Sequence, residues 1–514
     1  MLAIWKAIAS RLLIGAAMAT FAAPLAFAID ESPQSPTTAS IADQLFKDAS
    51  ARAAMLAATA YQAPLTDLPS PFENLNYDGY RKLRPRPETT VWGETGNAFG
   101  VLPLPRGFYY REEINIHFVS RTGETTPHTS SNFIDFVDYP GATDDERVAL
   151  GVSGWRAISK PGQAGIGYEF AVFQGATYFR AVSEGQVYGV SARALAIGTG
   201  SGAGEEFPRF TDFWIVEPEN ADRTLTFVAL ADSRSVAATF RFVLRPGKDA
   251  VIDVVGEIHP RIDVSEAGIA PMSSMYLHGS SDGHAKIDDR PEVHDSDGLA
   301  ILSLTGEHIW RPLANPSSVQ LSAFAGTLAG FGLEQRRRDP AAYADSEAKY
   351  ERRPSLWIEP QGDWGKGEVR LLEFPTANEY ADNVAAFWRP AEIWRAGSVQ
   401  RLAYRLHWSD RPRLSPVARA VSTHVVPAPE SARIQRFTIE FQGTAGFAAK
   451  DFSADVWATS GAVSNIRIVP GADTTATLFF DLDAGAAPVV ELHAALTDST
   501  SQKTETWLFR WTSE

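Results

Sequence analysis

The chain has 514 residues, and none of them is cysteine. Disulfide bonds, thiolate metal sites and cysteine nucleophiles are therefore excluded. A protein without disulfides must be stabilised by burying apolar side chains, and a chain of this length buries enough surface to do so. The length also exceeds what one hydrophobic core usually supports, so we expect two domains.

Positive charge is scarce relative to negative charge. The chain carries 47 lysines and arginines against 62 aspartates and glutamates, which gives a formal net charge of -15. Nucleic acids and anionic membrane surfaces repel such a protein, so both are disfavoured as partners. The same charge balance suits a neutral ligand such as a sugar.

Long apolar runs are missing except near the N-terminus. Lys6 and Arg11 form a positive region before the apolar residues 12–25, and residues 26–28 (Ala-Phe-Ala) are typical of a signal-peptide cleavage site. The apolar run is too short and too rich in alanine for a good membrane anchor. Residues 1–28 are therefore predicted to be a signal peptide, and the mature protein is predicted to be exported.

Alternation of apolar and polar residues predicts β-strands along most of the remaining chain, as in Thr239–Arg245 and Phe437–Phe441. Many short strands between Gly and Pro turns favour antiparallel sandwiches. A capping-box pattern at Ser40–Asp43 predicts a helix through about Ala60, and a helical interruption is expected near Pro340–Arg352. The predicted organisation is a linker over 29–40, a large β-sandwich domain over 41–408, a proline-rich linker over 409–430 and an immunoglobulin-like β-sandwich over 431–514.

Aromatic residues are plentiful, with thirteen tryptophans and fourteen tyrosines. Aromatic rings can line a groove and stack on sugar faces, but most aromatic side chains fill hydrophobic cores. Trp310 and Trp388 fit either interpretation, and for Trp388 we favour the core.

One stretch of ten residues, Arg290–Leu299, concentrates reactive side chains: Glu292, His294, Asp295 and Asp297. A calcium loop is disfavoured because its twelfth position is glycine instead of a bidentate glutamate. The histidine spacing in this region fits no standard zinc site. Paired carboxylates remain, as used for acid and base in glycoside hydrolysis. The alternative is a hydrogen-bonded loop whose aspartates accept from backbone amides.

A second acidic region lies at residues 368–388. A predicted strand ends at Pro375, and Glu379 and Asp382 then precede the apolar run Val384–Trp388. A carboxyl group beside an aromatic-rich run can be desolvated, which raises its pKa as a general acid requires. The alternative is that Asp382 caps the segment that follows it.

Six ordered stretches resemble those of a known family. They are Gln174–Arg180, Tyr188–Ala196, Glu205–Pro208 followed by Phe213–Trp214, Arg290–Leu299, Trp310–Leu313, and Asp382–Val384 followed by Phe387–Trp388. From about Leu45 to the C-terminus, the sequence resembles the periplasmic glucan biosynthesis protein G/D family. The family often has serine where Thr177 stands and glycine where Ala194 stands, and both departures lie outside the acid pair.

The resemblance implies an all-β fold, with a galactose-mutarotase-like N-terminal β-sandwich joined to a C-terminal immunoglobulin-like β-sandwich. It also implies a periplasmic location and a cleft for β-1,2-linked glucan. Members of the family are similar to inverting glycoside hydrolases, and some relatives transfer instead of hydrolysing. By this resemblance Asp382 is the general acid, and Asp295 is the base, acting on water directly or through intervening hydroxyl groups. The other candidate substrate-binding residues are Tyr178, Arg180, Trp214, Arg290, His294, Asp297, Trp310 and Glu379.

The resemblance leaves a second function open. A non-catalytic protein could bind nascent glucan from a membrane glucosyltransferase and assist its release or branching. A homodimer is a further expectation that the sequence leaves open. Neither function requires a cofactor or a metal, and we expect none.

Overall fold

The computed structural model describes residues 37–93, 97–128, 131–160, 167–219, 223–280, 288–411, 415–429, 431–447, 451–499 and 501–513. All of them belong to one compact unit, Pro36–Glu514. The predicted signal peptide and most of the first predicted linker lie outside the described residues. Among the described residues, no helix is both long and apolar enough to cross a membrane.

Helices are few in the described part of the chain. They are α1 (Thr38–Ala57), α2 (Tyr77–Tyr80), α3 (Asp144–Leu150) and α4 (Pro340–Tyr343), with short 3₁₀ helices at Ser70–Phe72, Pro87–Thr89 and Tyr350–Arg352. The helix predicted after Ser40 is confirmed as α1, although it begins within the predicted linker. The Thr37 hydroxyl group accepts a hydrogen bond from the backbone N–H of Ser40 at 3.2 Å, and this cap fixes the earlier start.

Strands make up most of the described fold. The first sixteen are β1 (Arg84–Pro85), β2 (Phe99–Pro105), β3 (Asn115–Val119), β4 (Thr125–Pro127), β5 (Ile134–Asp135), β6 (Val152–Ser159), β7 (Tyr168–Gln174), β8 (Tyr178–Ala181), β9 (Ser191–Arg193), β10 (Leu195–Ile197), β11 (Arg209–Val216), β12 (Leu225–Asp232), β13 (Val236–Arg245), β14 (Ala250–Pro260), β15 (Ala267–Ser274) and β16 (Tyr276–His278).

The strands that follow β16 complete the first sandwich and build the second. They are β17 (Val293–His294), β18 (Gly298–Ser303), β19 (His308–Pro312), β20 (Gln320–Ala325), β21 (Leu328–Glu334), β22 (Ser355–Pro360), β23 (Gly367–Glu373), β24 (Val384–Pro390), β25 (Gln400–Ser409), β26 (Arg419–Ala428), β27 (Ser431–Gln442), β28 (Ser453–Ala458), β29 (Ala462–Pro470), β30 (Thr475–Asp483), β31 (Val489–Thr497) and β32 (Thr506–Thr512).

Two large sheets form the N-terminal sandwich. One has ten strands in the order β2-β6-β7-β8-β9-β15-β24-β23-β20, with β10 also paired to β15. The other has fourteen, in the order β28-β31-β32-β19-β18-β21-β22-β25-β14-β13-β12-β11-β3-β4. The all-β sandwich predicted from the sequence is confirmed.

Aromatic side chains from both sheets fill the space between them. Trp155 of β6 meets Phe227 of β12 at a ring-centroid distance of 4.9 Å, and Phe173 of β7 meets Phe242 of β13 at 5.5 Å. All four side chains are buried. Full burial of such a side chain contributes roughly 1.5–3 kcal/mol each, so this layer holds the sheets in register. Trp388 is buried in the same core, as predicted.

The C-terminal sandwich shares a sheet with the N-terminal one. Its own four-stranded sheet has the order β26-β27-β30-β29 and packs on β28, β31 and β32 of the fourteen-stranded sheet. Strand β32 pairs in parallel with β19, placing Trp507 opposite Trp310. Backbone hydrogen bonds therefore run continuously from one sandwich into the other.

The predicted linker at 409–430 is wrong for residues 419–428. These residues form β26, which pairs with β27 and opens the C-terminal sandwich. The prolines in this stretch suggested irregular chain, but β26 is an edge strand of its sheet. An edge strand tolerates a proline such as Pro427 because its outer side needs no ladder hydrogen bonds.

Candidate active site

The acidic stretch of the sequence is part of a short two-stranded ribbon. Strand β17 pairs with β16, and the chain then turns through Asp295 and Asp297. The backbone N–H of Asp295 donates to the Met275 carbonyl at 2.8 Å, and that of Asp297 donates to the Glu334 carbonyl at 2.7 Å. These bonds satisfy backbone groups that would otherwise be buried without partners, so the two carboxylates have fixed positions.

Asp295 is 4% exposed and forms an ion pair with the guanidinium group of Arg353. Burial raises the pKa of Asp295 to about 6; Arg353 opposes this shift, and the Asp382 carboxylate reinforces it. The two carboxyl groups predicted as an acid and base pair therefore interact electrostatically, although they are far apart in the sequence.

Asp382 lies just before β24, and its side chain is partly exposed. One of its carboxylate oxygens lies 3.6 Å from a guanidinium nitrogen of Arg180. The neighbouring Asn383 side chain accepts from the backbone N–H of Tyr276 at 2.8 Å, and donates to the Tyr276 and Phe374 carbonyls at 2.9 Å each. Because Tyr276 belongs to the ribbon that carries Asp295, the amide of Asn383 brings the two acidic segments together.

Tyr178 forms part of the wall beside Asp382. The Arg193 guanidinium lies over its ring, 4.8 Å from the centroid. Arg193 is held by an ion pair with Glu205 and by hydrogen bonds to the Ser273 hydroxyl group. Burial raises the pKa of Tyr178, so the phenol keeps its proton and can donate a hydrogen bond. The contact with Arg193 therefore holds the Tyr178 ring in place, and the Tyr178 hydroxyl group makes this part of the site polar.

Arg290 forms ion pairs with three acidic residues. Its guanidinium group lies 2.6 Å from Asp288, 2.8 Å from Asp345 and 2.5 Å from Glu379. Glu379 stands three residues before Asp382, so this cluster anchors the loop that carries Asp382. Hydrogen bonds and charge from the three carboxylates raise the pKa of Arg290, with Asp288 the largest contributor.

His294 lies on the inner side of the acidic stretch. Its Nδ1 lies 2.9 Å from the Gln335 side-chain oxygen and 3.3 Å from Asp297, and its Nε2 lies 3.1 Å from Glu292. Burial alone lowers the pKa of His294, but Asp297 and Glu292 outweigh burial and raise it. The imidazole therefore acts as a buried cation that supports the ribbon from behind.

Glu292, His294 and Asp297 are also close enough together to offer ligand atoms to one metal ion. Both His294 nitrogens already face acceptors, and Asp297 accepts backbone hydrogen bonds from Arg336 and Arg337. A histidine that binds a metal ion must be neutral and must offer the metal a free nitrogen lone pair. The three residues are better described as an internal ion-pair cluster, because their present bonds oppose metal binding.

Comparisons with known proteins identify the family. Residues 45–511 match the model of the family described as "Periplasmic glucan biosynthesis protein, MdoG". The chain belongs to this family. It is 40% identical over 466 residues to "Glucans biosynthesis protein G" of Shewanella sp. (strain W3-18-1), covering 89% of this chain and 85% of that protein. The protein of the same name from Vibrio cholerae serotype O1 is 40% identical over 471 residues, covering 90% and 85%.

The family match covers every residue predicted for the site, but the fold brings together only some of them. Asp382 pairs with Arg180, its charge acts on both Asp295 and Tyr178, and Arg290 pairs with Glu379 on the loop that carries Asp382. His294 and Asp297 support the ribbon from inside. The catalytic and binding roles assigned to these residues stay predictions.

The two tryptophans predicted as sugar contacts pack against other protein side chains. Trp214 stacks on His117 at 5.3 Å and packs beneath α1. Trp310 is buried in the core of the C-terminal sandwich, where the Arg336 guanidinium lies 3.5 Å from the centre of its ring. Trp310 also lines a narrow pocket with His294 and Asp297, and its role as a sugar contact stays a prediction.

Two residues that meet the acids escaped the sequence analysis. Arg353 pairs with Asp295 and lies over the Tyr350 ring at 4.4 Å. The Tyr350 hydroxyl group hydrogen-bonds to Glu379, and burial raises the pKa of Tyr350. The available signal was the dipeptide Arg352-Arg353, an unusual pair of cations before a buried strand.

A cavity of about 820 Å³ lies apart from the acid pair. Neither Asp295 nor Asp382 lines it. Its lining includes Glu184 and Ser355, which flank the contact between the Arg352 guanidinium and the Gly185 carbonyl. The candidate site is therefore selected by its charged groups and not by the size of a cavity.

Proposed function

We propose that the protein acts on the β-1,2-linked backbone of periplasmic glucan as an inverting glycoside hydrolase or transglycosylase. One observation carries the proposal: a buried carboxylate, Asp295, and a partly exposed one, Asp382, interact within one site and have different surroundings. Inverting glycosidases need such a pair, because one group must donate a proton while the other accepts one.

In the proposed reaction Asp382 donates its proton to the glycosidic oxygen as the bond to the anomeric carbon breaks. Asp295 accepts a proton from the attacking group, directly or through an intervening hydroxyl group. Water as the attacking group gives hydrolysis, and a sugar hydroxyl group gives transfer.

The walls of the site suit a neutral polyhydroxylated ligand. Tyr178 and Arg180 offer hydrogen-bond donors, and Glu379 offers an acceptor, all fixed by neighbouring ion pairs or stacking. Membership of a family described as periplasmic supports a location in the periplasm. There the protein would process the glucan backbone during biosynthesis, with a membrane glucosyltransferase as the class of enzyme that supplies it.

The test is incubation of the protein with linear β-1,2-glucan. We expect shorter or rearranged glucans, followed by chromatography, and for hydrolysis a first-formed product of inverted anomeric configuration, followed by NMR. Linear β-1,3-glucan is the control and should stay unchanged. Glucan that binds but keeps its length would contradict the enzyme proposal and favour the non-catalytic carrier.

The pH dependence of turnover should show the ionisation of Asp295, the proposed base. A base must be ionised to accept a proton, so turnover should fall as pH drops below about 6, the pKa of Asp295. Arg353 lowers this pKa, so an Arg353→Gln variant should shift the acid limb of kcat/KM to higher pH. Arg352→Gln is the matched control, because Arg352 donates to the Gly185 carbonyl instead. An acid limb that does not move in Arg353→Gln would argue against Asp295 as the base.

A further inference from the structure

A tight turn displays two adjacent aromatic side chains on the surface. Gly107 and Tyr110 exchange backbone hydrogen bonds at 3.0 and 2.8 Å, which leaves Phe108 and Tyr109 at the tip. Tyr109 is 84% exposed, and its ring centroid lies 3.9 Å from that of Phe108. Tyr77, 58% exposed, continues the patch at 6.1 Å from Phe108. We call residues 107–110 the aromatic turn.

The aromatic turn is held firmly from below. The buried Arg106 guanidinium donates to the carbonyls of Arg111 at 2.7 Å and Asp67 at 2.9 Å. Arg111 in turn donates to the Thr66 and Glu73 carbonyls at 3.1 and 2.8 Å. These bonds attach both ends of the turn to neighbouring chain segments. The exposed rings are therefore presented on a fixed base instead of a loose loop.

Backbone strain also marks the aromatic turn. Phe108 has a φ of 54°, in the left-handed region that non-glycine residues rarely adopt. Such strain costs free energy and persists where the surrounding structure enforces it, most often at functional sites. Exposed apolar patches of this kind mark interaction sites. Strain at Phe108 and exposure of the adjacent Tyr109 therefore point to a ligand at this turn.

A short chain segment connects the contact surface of the aromatic turn with the residues beside Asp382. The Tyr110 ring packs on Gly175, where an added Cβ would lie only 3.1 Å from the ring. The Gly175 carbonyl accepts from the backbone N–H of Tyr178, and Arg180, two residues further, pairs with Asp382. At about 3.3 Å per residue, Gly175 and Arg180 are separated by at most roughly 17 Å. A cavity of about 210 Å³ adjoins the turn at Gln174–Ala176.

We propose that the aromatic turn is an accessory binding platform for the same glucan chain. This inference rests on the proposed function. Phe108 and Tyr109 stack on sugar units that lie beyond those held at Asp295 and Asp382. Stacking on a ring face needs no charge and suits a neutral chain. The platform would make the protein prefer long glucans, because a short oligosaccharide that fills the acid site does not reach the turn.

The test compares the affinities of long and short linear β-1,2-glucans, measured by calorimetry in an Asp382→Asn background that prevents turnover. Tyr109→Ala should raise the Kd of the long chain about fivefold, the size expected for one aromatic stacking contact, and leave the short chain unchanged. Phe108→Gly should act alike, because glycine adopts a positive φ without strain. Trp457→Ala is the matched control: Trp457 is 47% exposed in the C-terminal sandwich.

Two results would overturn the platform. One is an unchanged long-chain Kd in both turn variants, and the other is equal weakening for long and short chains. An Arg180→Ala variant separates this failure from that of the proposed function. If Arg180→Ala binds neither the long nor the short glucan while the turn variants bind both normally, the proposed acid site is supported and the platform is not. If neither the wild-type protein nor Asp382→Asn binds either length, both proposals fail.

Discussion

An Asp382→Asn variant is expected to lose β-1,2-glucan turnover by about 10²–10⁴-fold, the usual contribution of general acid–base catalysis. Asparagine has nearly the shape of aspartate but carries no acidic proton to give to the leaving oxygen. Glucan affinity should stay within about threefold of wild type, because the lost ion pair with Arg180 is partly exposed and such pairs contribute little. Product chromatography and calorimetry measure the two quantities separately.

The matched control for this variant is Asp363→Asn. Asp363 lies on the exposed loop between β22 and β23 and accepts from the Gly365 backbone N–H at 2.8 Å. Its substitution should change neither turnover nor affinity. Retained turnover in Asp382→Asn would remove Asp382 from the role of general acid. Loss of both turnover and affinity would instead assign Asp382 to recognition of the glucan.

The second large effect concerns the junction of the two sandwiches. An Arg336→Met variant should be destabilised by about 3–5 kcal/mol, the usual cost of breaking a buried ion pair. The Arg336 guanidinium is nearly buried and lies 2.8 Å from both Glu334 and Glu505. It also donates to the Ala420 carbonyl at 2.9 Å. Methionine fills the space but leaves two buried carboxylates without their cation.

Urea unfolding followed by tryptophan fluorescence measures this loss as a lower midpoint. Arg395→Met is the matched control, because the ion pair of Arg395 with Asp263 is exposed and its loss should barely change the midpoint. A double variant, Arg336→Met with Glu505→Gln, should recover part of the stability, since it also removes one of the stranded charges. Equal midpoints for Arg336→Met and wild type would show that solvent reaches the junction and stabilises the carboxylates.

The sequence predicted the two acids better than their partners. Asp295 and Asp382 stand out because each lies in a distinctive local pattern that resembles the family. Arg353 was missed, because it pairs with Asp295 only through a long-range contact that no local pattern specifies. Arg180 was predicted as a substrate-binding residue, but its ion pair with Asp382 was not. The burial of Trp310 was equally hidden from the sequence, because it depends on the packing of the C-terminal sandwich.

Element boundaries show the same division. The pattern in α1 is local, so the helix was predicted, and the error of three residues at its start reflects a cap at Thr37 instead of Ser40. Strand β26 was missed because an edge strand with prolines has the composition of a linker. Its identity as a strand depends on β27, which supplies the ladder. In this chain, a local sequence pattern is enough to predict the helix α1. The edge strand β26 can be recognised only from the strand with which it pairs.

The pairing of β19 with β32 also sets a limit on how this protein folds. Trp310 and Trp507 are neighbours in the sheet but are roughly 200 residues apart in sequence. Contacts of such high contact order form slowly, because a long loop must close before they stabilise anything. The fourteen-stranded sheet is therefore incomplete until the Thr506–Thr512 segment has been made. Until then one edge of β19 is unpaired, and an unpaired edge is prone to aggregation.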